Sequence, residues 1–88
     1  MIYHNPLRGL FEHLATMTDE EFLIQLGKRI AEIRKDRGLS QLDLGGLINM
    51  EKPNISAIEN GRQNASSLTL KRIADALKCE VSDFFNNH

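Results

Sequence analysis

The side chains that most often do chemistry are sparse in this sequence and poorly spaced for it. His4, His13 and His88 are scattered, without the partners at three- or four-residue spacing that a metal site on a helix needs. The single Cys79 has no second cysteine for a disulfide and takes an apolar position, which favours packing. No glycine-rich phosphate loop or catalytic signature is present. We therefore expect no enzyme activity, metal, cofactor or small-molecule ligand.

The charged residues are unevenly distributed, although the formal net charge is only −1. Residues 1–27 have one basic residue against four acidic ones, residues 28–62 have seven against five, and residues 63–88 have three of each. Positive charge thus gathers in the middle of the chain, where a surface facing phosphates could form.

Length and composition indicate one globular domain, with 88 residues of which 41% are hydrophobic and 26% charged. No apolar run approaches the roughly 20 residues that span a bilayer, and the first residues do not resemble a signal peptide. We expect no membrane association and a cytoplasmic location.

Hydrophobic spacing predicts helices throughout and no strands. Residues 1–18 form an extension with a short helix, because Leu7, Leu10, Phe11 and Leu14 recur at three- and four-residue spacing. Thr18 then caps a long helix that ends at Gly38. Its apolar stripe consists of Phe22, Leu23, Leu26, Ile30 and Ile33.

Two further helices follow within residues 40–60. Ser40 opens the first in a capping box, with Leu44, Leu47 and Ile48 inward, and Asn49 tolerates the left-handed conformation of a sharp turn. Pro53 then suits the first turn of the second. A fourth helix begins at Ser66 or Ser67, and a single helical turn covers residues 81–85. The expected fold is all-α, with five helices after the extension.

The spacing within residues 41–60 is typical of a helix-turn-helix. Gly45 is small where the two helices would approach most closely, and Asn49 stands in the turn. Ile55 and Ile58 would anchor one face of the second helix and leave its other face free.

Three segments in order resemble the Cro and phage-repressor type of helix-turn-helix domain, also described as lambda-repressor-like or XRE-type. They are Arg37-Gly38-Leu39-Ser40-Gln41, Ile55 to Arg62, and Leu70 to Leu77, and the resemblance covers Leu26 to Phe85. It implies a compact DNA-binding domain over residues 19–88 that regulates transcription as a repressor or controller. A protein- or RNA-binding adaptor with the same fold remains open, as does a structural oligomerisation module. Lys78 stands where the family usually ends a helix with glycine.

The resemblance implies that the helix from about 51 to 60 enters the major groove of double-stranded DNA. Lys52 could donate to guanine, Asn54 could read adenine, and Pro53 offers only apolar contact, for instance to a thymine methyl group. Ser56 and Ala57 lie on or near the same face. The alternative for any one of these five residues is that it is a solvated surface residue without a contact to a base.

The resemblance also implies phosphate contacts from Ser40, Gln41, Asn60 and Arg62. Simple capping by Ser40 beside a solvated Gln41 is the alternative. Arg34 and Glu59 match a structural ion pair of the family, although Arg34 could instead serve phosphates. The basic residues Lys28, Arg29, Lys35 and Arg37 could add phosphate contacts or simply face water.

Family members commonly bind two-fold symmetric operators as dimers, so we expect a homodimer. The adjacent Phe84 and Phe85 are one candidate surface, because a single short turn cannot bury both rings. The rival is the leading helix, through Leu10, Phe11 and Leu14.

Overall fold

The computed structural model describes residues 16–85, which form four α-helices and one 3₁₀ turn. The helices are α1 (Asp19–Asp36), α2 (Gln41–Ile48), α3 (Lys52–Glu59) and α4 (Ser67–Leu77), followed by the 3₁₀ turn Val81–Phe84. The all-α prediction is confirmed. The count of five helices is slightly wrong, because Val81–Phe84 make only a tight 3₁₀ turn. The predicted leading helix lies outside the described residues, apart from Thr16 at its end.

Side-chain caps fix the starts of three helices. The hydroxyl of Thr18 accepts a hydrogen bond from the Glu21 amide at 3.1 Å, and that of Ser66 accepts from the Thr69 amide at 3.1 Å. At α2 the bonds are reciprocal: the Ser40 hydroxyl accepts from the Asp43 amide, and the Asp43 carboxylate accepts from the Ser40 amide, both at 2.9 Å. These bonds lower the pKa of Asp43, with the backbone bond as the larger cause. Caps of this kind typically contribute about 1 kcal/mol each.

Two non-glycine residues adopt left-handed backbone conformations at helix ends. Asn49, with φ of 55°, ends α2 and makes the turn that the sequence predicts. Lys78, with φ of 56°, ends α4 in the conformation that glycine adopts most easily. A side chain with a Cβ atom is strained in this region, and asparagine less than lysine.

Lys78→Gly is therefore expected to raise the free energy of unfolding by about 1 kcal/mol, because glycine removes the strain of the left-handed conformation. Denaturant unfolding monitored by circular dichroism measures the change. Asn49→Gly is the matched control, and we expect a smaller gain there. A Lys78→Gly protein that is less stable than the parent would contradict the assignment of strain to this residue.

The core lies where the four helices and the 3₁₀ turn meet. α3 packs against α1 and α2, α4 packs against α2, and the 3₁₀ turn closes against α1 and α4. The buried apolar residues are Leu26, Ile30, Ile33, Leu44, Ile55, Ile58, Leu70, Ile73, Ala74, Leu77 and Phe84.

Leu47 corrects the predicted inner face of α2, because its side chain is 62% exposed. The short helix buries a narrow row in which Leu44 is fully covered and Ile48 packs at the edge of the core. Residue 47 lies about 100° around the helix from Ile48, and that rotation places its side chain at the surface.

Two glycines inside helices, Gly45 in α2 and Gly27 in α1, permit close backbone approaches. A Cβ atom on Gly45 would meet the carbonyl oxygen of Met50, so the prediction of a small residue at the closest approach within the motif is confirmed. A Cβ atom on Gly27 would meet the carbonyl oxygens of Ile58 and Glu59. Helix α1 therefore crosses the end of α3 at a distance that only glycine allows.

Candidate nucleic-acid interface

Helix α3 has one buried face and one open face. Ile55 and Ile58 are 1% and 3% exposed, and they anchor the helix in the core. On the other side, Lys52, Pro53 and Asn54 at the start of the helix are exposed, whereas Ser56 and Ala57 are half-buried. The five predicted base-reading residues thus share a helix whose first turn projects freely from the domain.

The turn between α2 and α3 is held by the backbone. Asn49 in its left-handed conformation reverses the chain, and the Met50 amide donates to the Gly45 carbonyl at 2.8 Å. At the start of α3, the side chain of Glu51 makes no capping bond. The orientation of α3 relative to α2 is therefore set by packing and by this turn.

A buried ion pair connects α1 to the last residue of α3. Arg34 Nε lies 2.7 Å from Glu59 Oε2, and Arg34 Nη2 donates to Glu59 Oε1 at 3.0 Å. Arg34 Nη1 donates to the carbonyl oxygen of Leu39 at 2.7 Å. The hydrogen bond to Glu59 raises the pKa of Arg34 above its ordinary value. Both residues are under 9% exposed, so the pair is a buried link between α1 and the end of α3.

Gln41 joins the same network from the start of α2. Its Nε2 atom donates to Glu59 Oε1 at 2.9 Å, so the first residue of α2 is tied to the last residue of α3. The side chain is half-buried and oriented, unlike a freely solvated glutamine. Ser40 beside it is exposed, and its hydroxyl is used in the α2 cap.

The two residues predicted to contact phosphates after α3 have different surroundings. Asn60 Nδ2 donates to the Ser56 carbonyl at 2.8 Å and lies 3.3 Å from the Ser56 hydroxyl. The Asn60 side chain therefore folds back along α3. Arg62 is exposed, and its side chain has no hydrogen bond or ion pair within residues 16–85.

The two aromatic residues proposed for dimerisation are in different environments. Phe84 is 3% exposed and belongs to the core, in line with the expectation that the short turn cannot bury both rings, so Phe85 is the remaining dimer candidate of the two. Phe85 is 38% exposed and stacks on Phe22, which is 36% exposed, with ring centroids 5.9 Å apart. Leu10, Phe11 and Leu14 lie outside the described residues.

Other kinds of site find little support between residues 16 and 85. No three histidine, cysteine, aspartate or glutamate residues in that range come together as a metal site would need. Within the same range, no helix has the length and apolar character to cross a membrane. Spacing in the sequence does not indicate that Gly27 lies against the end of α3, because its contact partners are backbone atoms more than thirty positions away.

The fold and the geometry of α2 and α3 place the chain in a known class. The family model described as Helix-turn-helix matches residues 30–84. The chain belongs to this helix-turn-helix family.

Several bacterial and phage proteins are similar in sequence. The chain is 36% identical over 62 residues to the competence pilus inhibition repressor of Acinetobacter baylyi, a match over 70% of this chain and 56% of that protein. It is 40% identical over 57 residues to the immunity repressor protein of Bacillus phage phi105, over 65% of this chain and 40% of the repressor. The chain thus spans about half the length of these two repressors.

One smaller regulator and one solved structure match over nearly their whole lengths. Control protein C.MunI of a Mycoplasma species is 31% identical over 65 residues, which cover 73% of this chain and 88% of that protein. The crystal structure of the restriction-modification controller protein C.AhdI from Aeromonas hydrophila matches with a TM-score of 0.70 and 30% identity. That match covers 72% of this chain and 96% of the other.

Proposed function

We propose that this chain binds specific double-stranded DNA with α3 in the major groove and regulates transcription in the cytoplasm as a repressor or controller. The observation that carries the proposal is the exposed first turn of α3, where Lys52, Pro53 and Asn54 project from a helix fixed by the Arg34–Glu59 pair. A rigid helix with a free polar end is what reading a groove requires. The names of the similar proteins, which include repressors and controllers, support it.

Each exposed residue of α3 has a distinct role in the proposal. Lys52 donates to guanine O6 and N7, Asn54 pairs with adenine N6 and N7, and Pro53 packs on a thymine methyl group. Ser56 and Ala57 lie one turn further along and allow close approach to the groove. Contacts to phosphates come from four residues at the ends of α2 and α3: Ser40, Gln41, Asn60 and Arg62.

Asn54→Ala is expected to relax discrimination at one base pair by about 1–3 kcal/mol, because the variant loses the paired donor and acceptor that match adenine. Selection from a random duplex pool, followed by footprinting on the selected sequence, measures base preference at each position. Gln25→Ala, an exposed amide on α1, serves as the control and should leave every preference unchanged. An Asn54→Ala protein that selects the same sequence as strongly as the parent would remove Asn54 from the reading surface.

The proposal includes a homodimer on a two-fold symmetric operator. One helix-turn-helix reads only a few base pairs, and a symmetric dimer doubles the number of base pairs read. The two half-sites would lie about 34–36 Å apart along the DNA. The stacked Phe22 and Phe85 rings supply an exposed apolar surface, and the segment with Leu10, Phe11 and Leu14 is the alternative.

Sedimentation at micromolar concentration is expected to show a dimer. Phe85→Ser and deletion of residues 1–16 are tested separately. The change that removes the apolar area of the true dimer surface should shift the equilibrium from dimer towards monomer. Circular dichroism of both variants checks that the fold survives. A parent chain that is monomeric both free and on DNA would exclude the dimer.

A further inference from the structure

A shallow groove of about 380 Å³ runs between α1 and the end of α3. One wall is a stripe of α1 residues at three- and four-residue spacing: Ile24, Lys28, Ala31 and Lys35. Gln41 and Asn60 line the groove as well. Two residues proposed to contact phosphates therefore share a groove with two lysines of α1.

The basic residues of α1 and of its C-cap, Arg37, fall into two groups. Arg29 Nε donates to the Asp83 carbonyl oxygen at 3.0 Å, Arg37 Nε donates to the Leu77 carbonyl oxygen at 2.9 Å, and Arg34 is paired with Glu59. These three arginines hold the domain together. Lys28 and Lys35 are exposed, and neither has an ion pair within residues 16–85.

The acidic residues nearby are largely committed to other partners. Glu32 pairs with Arg29, Asp36 pairs with Arg37, and the Asp43 carboxylate accepts the Ser40 amide. Within the described residues 16–85, four basic side chains of the segment 28–62 are exposed and have no ion pair: Lys28, Lys35, Lys52 and Arg62. Among the same residues, the exposed Glu51 is an acidic side chain without an ion pair. Lys28 and Lys35 lie along the groove wall, whereas Lys52 begins α3 and Arg62 follows its end.

We infer that this groove binds the DNA backbone and that Lys28 and Lys35 donate to separate phosphates, an inference that rests on the proposed function. The two lysines are seven residues apart on one helix face, about 10 Å along the axis at 1.5 Å per residue. One strand of duplex DNA carries a phosphate about every 3.4 Å along its axis, so the pair spans more than one. The phosphates lie beside the base pairs that α3 reads, because α1 packs across the end of α3.

The experiment compares Lys28→Gln, Lys35→Gln and the double variant with the parent in binding to the selected duplex across a salt series. Each lost phosphate contact should reduce the slope of log K against log salt by about 0.9. Base preference should not change, because phosphates carry no sequence information directly. Lys78→Gln is the matched control: it removes an exposed lysine outside the groove and should keep the parent slope.

Ethylation interference locates the contacted phosphates. If Lys28 or Lys35 donates to a given phosphate, ethylation of that phosphate should weaken DNA binding by the parent, but should not weaken binding by the variant that lacks the lysine. Slopes for Lys28→Gln and Lys35→Gln that equal the slope of the parent would overturn the groove assignment and leave the proposed function standing. A parent chain that binds no duplex at low salt would overturn both.

Discussion

Arg34→Met is expected to lower the free energy of unfolding by about 3–5 kcal/mol, the largest effect of any single change considered for this domain. Glu59, which is 8% exposed in the parent, would keep only the Gln41 amide as a side-chain donor among the described residues. A buried charge without its counter-ion is costly because it has lost water and gains no compensating attraction. Urea or guanidinium unfolding measures the change.

Two further variants separate the lost charge from the lost packing. Arg34→Lys keeps the charge but loses the two-pronged geometry, so its cost should be intermediate. In the double variant Arg34→Met with Glu59→Leu, the loss should be smaller than the two single losses combined, because no unpaired charge remains.

The exposed pair of Lys71 and Asp75, joined at 2.7 Å, is the control for an ordinary surface ion pair. Lys71→Met should change stability by less than about 1 kcal/mol. If Arg34→Met changes the free energy of unfolding as little as Lys71→Met does, the buried pair does not orient α3.

Gly27→Ala is expected to cost up to about 3 kcal/mol, because overpacking forces the surrounding structure to shift. The added methyl group would lie 2.5 Å from the Glu59 carbonyl oxygen and closer still to that of Ile58. Backbone atoms cannot swing aside as a flexible side chain can. The shift would displace the end of α3, so we also expect weaker binding to the selected duplex.

Gly46→Ala provides a control of opposite sign. Gly46 lies inside α2 with open space around the site of a Cβ atom. Alanine there should raise the free energy of unfolding by about 1 kcal/mol, the difference in helix propensity. A Gly27→Ala protein that is as stable as the parent, or that gains stability as Gly46→Ala is expected to, would show that the close approach at Gly27 does not constrain the domain.

Local signals in the sequence were sufficient to predict the helices. Thr18, Ser40 and Ser66 are caps whose hydroxyls accept amides three residues later, and Asn49 takes the left-handed turn. Such interactions depend on neighbours within a few residues, so spacing reveals them.

Features that depend on distant parts of the chain could not be predicted in this way. Gly27 is constrained by carbonyl groups of α3, Leu47 is exposed because α2 is short, and Phe22 meets Phe85 across the fold. The hydrogen bond from Gln41 to Glu59 could be found only in the three-dimensional structure. The same is true of the difference between the bonded Arg29, Arg34 and Arg37 and the lysines Lys28 and Lys35, which have no ion pair among residues 16–85. Sequence spacing predicts the face on which a residue lies, but not its partner.

The central claim is tested most directly by measuring the affinity of the chain for its selected duplex and for a shuffled duplex over a range of salt concentrations. The account predicts that log K falls linearly with log salt for both duplexes and that the selected duplex binds at least about 10³-fold more tightly at each salt concentration. Equal affinity for the two duplexes, or binding that is insensitive to salt, would contradict specific DNA recognition by α3 and would favour an adaptor that binds protein or RNA.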